Sequence, residues 1–405
     1  MKTKFFLAVG LLVTAMGVSQ NTTLNMQGNT ADLDENVFLG QDAGASNTLG
    51  LENVFSGFKA GYSNTEGSYT IAIGNKAGYS FNPIVTLEEP NNTGGAIFIG
   101  NNAGYYNTKG YNVFVGYQSG YNNTASANVF MGTSTGTNNN GSANSFFGHG
   151  TGESSTGSSN VFLGSWAGKN SVGSNNVLLG NDTGAGNGDP VVTNLGSNNV
   201  IVGYRAGRRS TGNSNVFMGY MSGHNAIGNK NILIGYQAGK DETGSNKLYI
   251  ADSDTDNPLI YGDFSANELK FNAQKVGVGF ESGAFGDFPD TTSLITDVDY
   301  RFFVKGGVLA EEVRVRLQGD WSWPDYVFAN DYELMPLSEV EGYIANNGHL
   351  PNMPSAEEVE EDGIALGNMV KLQQEKIEEL TLHLIEQEKE MEALKAQVQL
   401  LLNKQ

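Results

Sequence analysis

Residues 112–127 read "NVFVGYQSGYNNTASA", residues 128–143 "NVFMGTSTGTNNNGSA" and residues 144–159 "NSFFGHGTGESSTGSS". One sixteen-residue phrase is repeated, its fifth and ninth letters held at Gly while the second half drifts. A unit this short cannot hold a helix pair or a propeller blade, so it predicts one coil of a solenoid.

Outward from these three copies, the Gly that closes each N-V-F-x-G recurs at Gly40, Gly57, Gly74, Gly100, Gly116, Gly132, Gly148, Gly164, Gly180, Gly203, Gly219 and Gly235, and Ala251 replaces a thirteenth. The spacing is 16 or 17 residues except at two insertions, near 79–95 and 184–196. Four residues after each of these glycines stands another, from Gly44 to Gly239, always preceded by Ala, Ser or Thr. The array spans residues 30–251, about 13 coils. The expected fold class is mainly β, a repetitive parallel β-roll or β-solenoid, followed by a small α+β region and a C-terminal coiled-coil helix.

Two columns flank the centre of each predicted strand. Three residues before the Gly stand Val37, Val54, Ile71, Ile97, Val113, Val129, Val161, Val177, Val200, Val216 and Ile232; one residue before it, mostly Leu, Ile, Val and Met. Such aliphatic columns suit a strand facing a narrow core. The column between them must point to the opposite face, because strand side chains alternate. It includes Phe38, Phe55, Phe98, Phe114, Phe130, Phe146, Phe162 and Phe217. Left in water, these rings would forgo about 12–24 kcal/mol per chain, at about 1.5–3 kcal/mol each. The expectation is therefore that the Phe stripe is an oligomer interface, buried against other chains; the alternative is burial beneath another part of the same coil.

The coil pattern, with its Asn column (Asn36, Asn53, Asn112, Asn128, Asn144, Asn160, Asn176, Asn199, Asn215 and Asn231), resembles the head repeats of trimeric autotransporter adhesins. That resemblance implies left-handed parallel β-rolls wound by three chains about a common axis, hence a homotrimer. The repeat here is longer than the usual adhesin coil, and no C-terminal β-barrel anchor follows it. On physical grounds the Asn column should form amide ladders or close turns.

Beyond the array come a β-rich connector (252–320), a further region (321–362) and a helix (363–405). "KVGVG", "FVKGGVLAEEVRV" and "WPDYVFANDYELMPLSEVEGYIANNGHLPNMPSAEEVEEDGIALG" resemble the C-terminal region of tail-fibre-type surface proteins of the Bacteroidota, related in layout to the intramolecular chaperone of endosialidases and phage tail fibres. Self-cleaving members of that chaperone family (peptidase S74-like) use a Ser-Asp pair followed by Arg and Lys. Here Ser253-Asp254 is followed by "TDNPLIYGDF", without either, so autoproteolysis is not expected. The final segment carries Val370, Ile377, Leu384, Met391 and Val398 at one heptad position and Leu380, Leu394 and Leu401 three residues later, with Gln373 and Gln387 filling the seam. This is a coiled-coil seam. β-branched residues followed by Leu lean towards dimers, so the trimer rests on the resemblance of the repeats.

Composition narrows the chemistry. Cys is absent, which excludes disulfides, thiol catalysis and Cys-based zinc sites. The four His (His149, His224, His349 and His383) are too scattered for a ligand pair, so neither a metal nor a cofactor is expected. Residues 21–250 hold 13 acidic and 10 basic side chains and residues 251–405 hold 30 and 11, which offers no basic stripe for nucleic acid. Lys2, Lys4, the apolar run 5–13 and the small residues at Ala15, Gly17 and Ser19 read as a signal peptide over residues 1–20, and no later run is long enough to span a bilayer. A secreted or cell-surface protein follows. The alternatives are a tail-fibre-type protein whose intramolecular chaperone cleaves itself and a phage-derived fibre, with the leader misread.

Gly132-Thr133-Ser134-Thr135-Gly136 matches the G-x-S-x-G of a hydrolase elbow, but the same columns elsewhere read "GYQSG", "GNNAG" and "GFKAG". Ser134 is thus a variable letter of the repeat. Tyr62, Tyr79, Tyr105, Tyr117, Tyr121, Tyr204, Tyr220 and Tyr236 follow the glycines and are candidate binding residues, able to stack on sugars or pack on a partner surface; otherwise they cover the corner of the roll. The reading as a whole is a non-enzymatic, exported, homotrimeric adhesive or spacer rod, whose other partners would be carbohydrate or a host or cell-surface protein.

Overall fold

A computed structural model describes residues 24–25, 35–83, 94–186, 195–279, 300–315 and 322–403. The signal peptide expected over residues 1–20 and most of both insertions lie outside the described residues. The chain divides into two compact units, residues 1–274 and 275–405.

The first unit is a parallel β-solenoid of about twelve turns, each giving one three-residue strand to a single sheet, from Val37–Leu39 to Ile232–Ile234. Register follows the repeat: Phe114 faces Phe130, which faces Phe146. Lys247–Ile250 adds a last parallel strand, and Ile260–Asp263 and Glu268–Phe271 close the sheet in antiparallel fashion. At the other end Leu24–Asn25 pairs antiparallel with Val37–Leu39. The remainder of each coil is turn, held by left-handed residues such as Lys59, Gln118 and Ser134 two positions after the first Gly.

The two faces of the sheet are the reverse of the sequence expectation. Phe55, Phe98, Phe114, Phe130, Phe146, Phe162 and Phe217 are wholly buried within their own chain and Phe38 nearly so, while the flanking aliphatic columns point outwards. The Phe column is therefore not an oligomer interface. The turn opposite the strand folds back over the sheet at a separation that one aromatic ring fills. A typical layer of the core is that ring with one small residue and Asn side chains around it, as in the coil of Phe130, Thr135, Asn139 and Asn128, while Leu178, Ile201 and Leu233 take the ring's place in three coils. Burial of the eight rings, about 12–24 kcal/mol in all, is spent inside the fold.

This packing explains the two fixed glycines. Gly40 has φ +127, and a Cβ there would lie 2.6 Å from the carbonyl oxygen of Gly57 on the next coil. Gly44 has φ +59, and its Cβ would lie 2.8 Å from the Phe38 ring. The first Gly lets neighbouring coils touch backbone to backbone, and the second makes room for the aromatic layer.

The Asn column forms the expected ladder, between side chain and backbone. Asn144 donates its N–H to Oδ1 of Asn128 (2.9 Å), its own Oδ1 accepts from the N–H of Asn160 (2.9 Å), and its Nδ2 donates to the Gly157 carbonyl (3.0 Å). The pattern recurs at Asn160, Asn199, Asn215 and Asn231 and satisfies buried backbone groups that the turns leave without sheet partners. Where the Phe column lapses to Ala72, Phe81 from another part of the coil enters the core and meets Phe98 edge-on at 5.1 Å. Ring volume is conserved although its position in the sequence is not.

The second unit pairs Val276–Val278 in parallel with Phe302–Val304. It continues through a 3₁₀ helix, Pro324–Phe328, and three α-helices: α1 (Leu337–Asn347), α2 (Ala356–Asp362) and α3 (Leu366–Leu402). Ser355 and Glu358 form a capping box at the start of α2, and Gly363, at φ 73, ends it. The long helix thus begins three residues after Gly363.

Candidate functional site: an aliphatic sheet face and a free heptad row

The outward columns of the solenoid form an extended apolar surface on the first unit. Val37, Leu39, Ile73, Ile99, Met131 and Leu163 are exposed, as are Val161 at 43% and Val200 at 42%. Every parallel strand contributes to this face. Thirteen strands about 4.8 Å apart extend it over about 60 Å, with the two columns covering a band roughly 10 Å wide. An area of roughly 600 Å² is at the upper limit for the largest patch of a soluble monomer.

The predicted Tyr residues fall into two different rows. Tyr62, Tyr79, Tyr105 and Tyr121 stack along the solenoid with successive ring centroids 5.0, 4.8 and 5.3 Å apart and planes within 24°. Tyr204, Tyr220 and Tyr236 stack on the other corner at 5.4 and 5.0 Å. Tyr117 is exposed on the corner of the second row, five coils before Tyr204. Lys59 lies 5.1 Å from the centre of the Tyr62 ring and Arg205 5.0 Å from that of Tyr204. Burial, followed by the neighbouring phenols, raises the Tyr105 hydroxyl above its ordinary range. Because the rings cover one another's faces, each row presents edges and hydroxyls. Only a row's end offers a free face, so the stacking geometry for a run of sugar rings is not present along it.

The other motifs acquire structural roles. Ser134 occupies a left-handed turn position shared with Lys59, Lys76, Asn102 and Gln118. His149 packs edge-on against Trp166, and His224 pairs with Asn225; burial lowers the His224 pKa despite that contact. Ser253 donates its hydroxyl to Asp252 at 3.3 Å, and Asp254 is held by Lys240 at 3.0 Å. Among the described residues there is no group of three or more His, Cys, Asp or Glu placed to hold a metal, and no helix long and apolar enough to cross a membrane.

In the second unit, Val370, Ile377, Leu380, Leu384, Met391, Leu394, Val398 and Leu401 are all exposed, from 43% to 67%. The helix packs its opposite side instead. There Tyr326 donates its hydroxyl to Glu375, Tyr332 donates to Glu379, and Lys376 pairs with Glu379 at 2.7 Å. Glu375 and Glu378 are nearly inaccessible. The bond to Glu375, with burial, pushes the Tyr326 hydroxyl up to about 12; burial and then Glu379 raise Tyr332 as well. Burial opposes ionisation of Glu375, but Tyr326 and Lys376 outweigh it and hold the carboxyl below its usual range. This Tyr–Glu cluster was not anticipated. Its signal was a pair of heptad-outer carboxylates, where an ordinary coiled coil is solvated, preceded by an aromatic segment.

Neither protein-family models, nor curated proteins, nor solved structures give a match to this chain.

Proposed function

We propose that this chain is an exported structural protein whose solenoid and α3 associate with further copies, forming a homotrimeric surface or fibre-like rod with adhesive and spacer roles. The observation that carries this reading is the exposed aliphatic face of the sheet. About 600 Å² per chain approaches the roughly 800 Å² that each partner contributes to a standard stable interface. A face so regular costs a lone chain in solubility without contributing to its core. The free heptad row of α3 supports the same reading from the second unit. Export is supported by the signal-like leader, and the threefold number and the adhesive role by the resemblance to autotransporter adhesin heads.

Sedimentation equilibrium on the purified mature chain tests the proposal. The expected mass is three times that of the chain. A chain that stays monomeric at micromolar concentration would overturn it.

A further inference from the structure

Helix α3 has two working sides in the second unit, and one of them is left open. The segment leading from the 3₁₀ helix into α1 is fastened to α3 through Tyr326–Glu375 and Tyr332–Glu379, on the side away from the heptad row. Beside that attachment lies a groove of about 450 Å³ between α3 and residues 332–352. Its apolar walls are Met335, Leu337, Val340 and Leu350 on one side and Ile377 and Leu380 on the other. Met335, Leu337, Leu350, Ile377 and Leu380 are all exposed in the single chain.

Ile377 and Leu380 belong to both the groove and the heptad row, and this limits what can fill it. Any helix that packs on the row at this height must also lie along the groove mouth. The cavity accepts a few aliphatic side chains but not a helix body, so the occupant rests on the rim and inserts side chains. We propose that the occupant is α3 of a second copy, so that residues 332–352 of each chain form an outer wall of the neighbour's coiled coil. The polar residues that flank the seam fit a parallel, in-register neighbour. Residues preceding one seam position face those following the other on the next helix, which sets His383, on the groove rim, against Glu388 of the second copy, and Glu390 against its Lys395. The groove thereby adds a contact outside the heptad seam. This inference rests on the self-association reading above.

Because the chain has no cysteine, a single introduced thiol reports cover at one place. Leu350→Cys is conservative at a position 42% exposed, so the fold is retained. Its labelling by a maleimide is compared in the full chain and in the Leu350→Cys/Leu384→Arg double variant, where a charge in the seam separates the helices even if the solenoids stay together. Labelling at least tenfold slower with the intact seam supports the proposal. Equal rates in a parent that sediments as an oligomer overturn the groove assignment alone. A parent that sediments as a monomer overturns the self-association reading and this inference with it. Leu337→Glu supplies a second readout that needs no thiol. It is solvated in a lone chain, and is expected to raise the urea sensitivity of helix pairing while α1 remains folded; an unchanged midpoint counts against the groove.

Discussion

Phe130 and Phe146 sit on successive coils with ring centroids 4.9 Å apart and planes 7° from parallel, and both are fully shielded by their own chain. The stack continues to Phe114 on one side and Phe162 on the other. Phe130→Ala removes one layer of this column and leaves a cavity that neighbouring coils cannot collapse to fill. The expected loss is about 3–5 kcal/mol. Urea unfolding followed by circular dichroism should give it at every protein concentration, because the ring is buried within one chain.

Gly223 has φ +58, and a Cβ there would lie 2.6 Å from the Phe217 ring. Gly223→Ala combines left-handed backbone strain with overpacking and is expected to cost about 2–5 kcal/mol. A thermal melt of the variant beside Tyr220→Ala, a corner substitution, would separate this packing effect from a general sensitivity of the coil. Equal melting temperatures would refute it.

Asn144→Ala leaves two buried groups without partners, the N–H of Asn160 and the carbonyl of Gly157. At about 1–3 kcal/mol for each, the coil loses about 2–6 kcal/mol. Hydrogen exchange should show the Asn160 amide opening faster than the Phe162 amide in the same coil.

Val161→Lys together with Val200→Lys places two charges on the outer face of the sheet, where both valines are exposed. Within the chain the change should stay within about 0.5 kcal/mol. Association between chains should weaken at least tenfold in sedimentation experiments. Retained association with an unchanged midpoint would move the interface elsewhere.

The Tyr–Glu cluster makes the packing against α3 sensitive to pH at both extremes. Tyr326 keeps its proton in the folded state up to about 12, whereas an unfolded tyrosine loses it near 10. Stability from this group is therefore complete below about pH 10 and declines as the pH rises towards 12. Glu375 is shifted the other way, so its contribution is present above the ordinary glutamate range, about 4.3, and is lost as the pH falls through its lowered value. Tyr326→Phe should flatten the alkaline limb of a helix-melting profile and leave the neutral plateau lower. A limb unchanged in slope would remove Tyr326 from that role.

Local repetition in the sequence specifies the solenoid, the length of its coil, the strand in each coil and the heptad helix. Each is a local pattern repeated many times, and repetition makes stacking of like on like the arrangement that satisfies every backbone group. The sequence pattern pointed to the wrong face of the three-residue strand as the inner one, because Val113 and Val115 are as apolar as the Phe114 between them. Tertiary structure decided which face is inside: the distance between strand and opposing turn matches one aromatic ring, and both glycines of the coil are shaped to that ring and to the next coil. The same cause turned the tyrosines into stacks, since a repeat of one strand spacing brings like rings within about 5 Å. Phe81 replacing the ring missing at Ala72, and Glu375 buried beneath Tyr326, depend on contacts across separate segments, which no column of the repeat and no heptad position encodes.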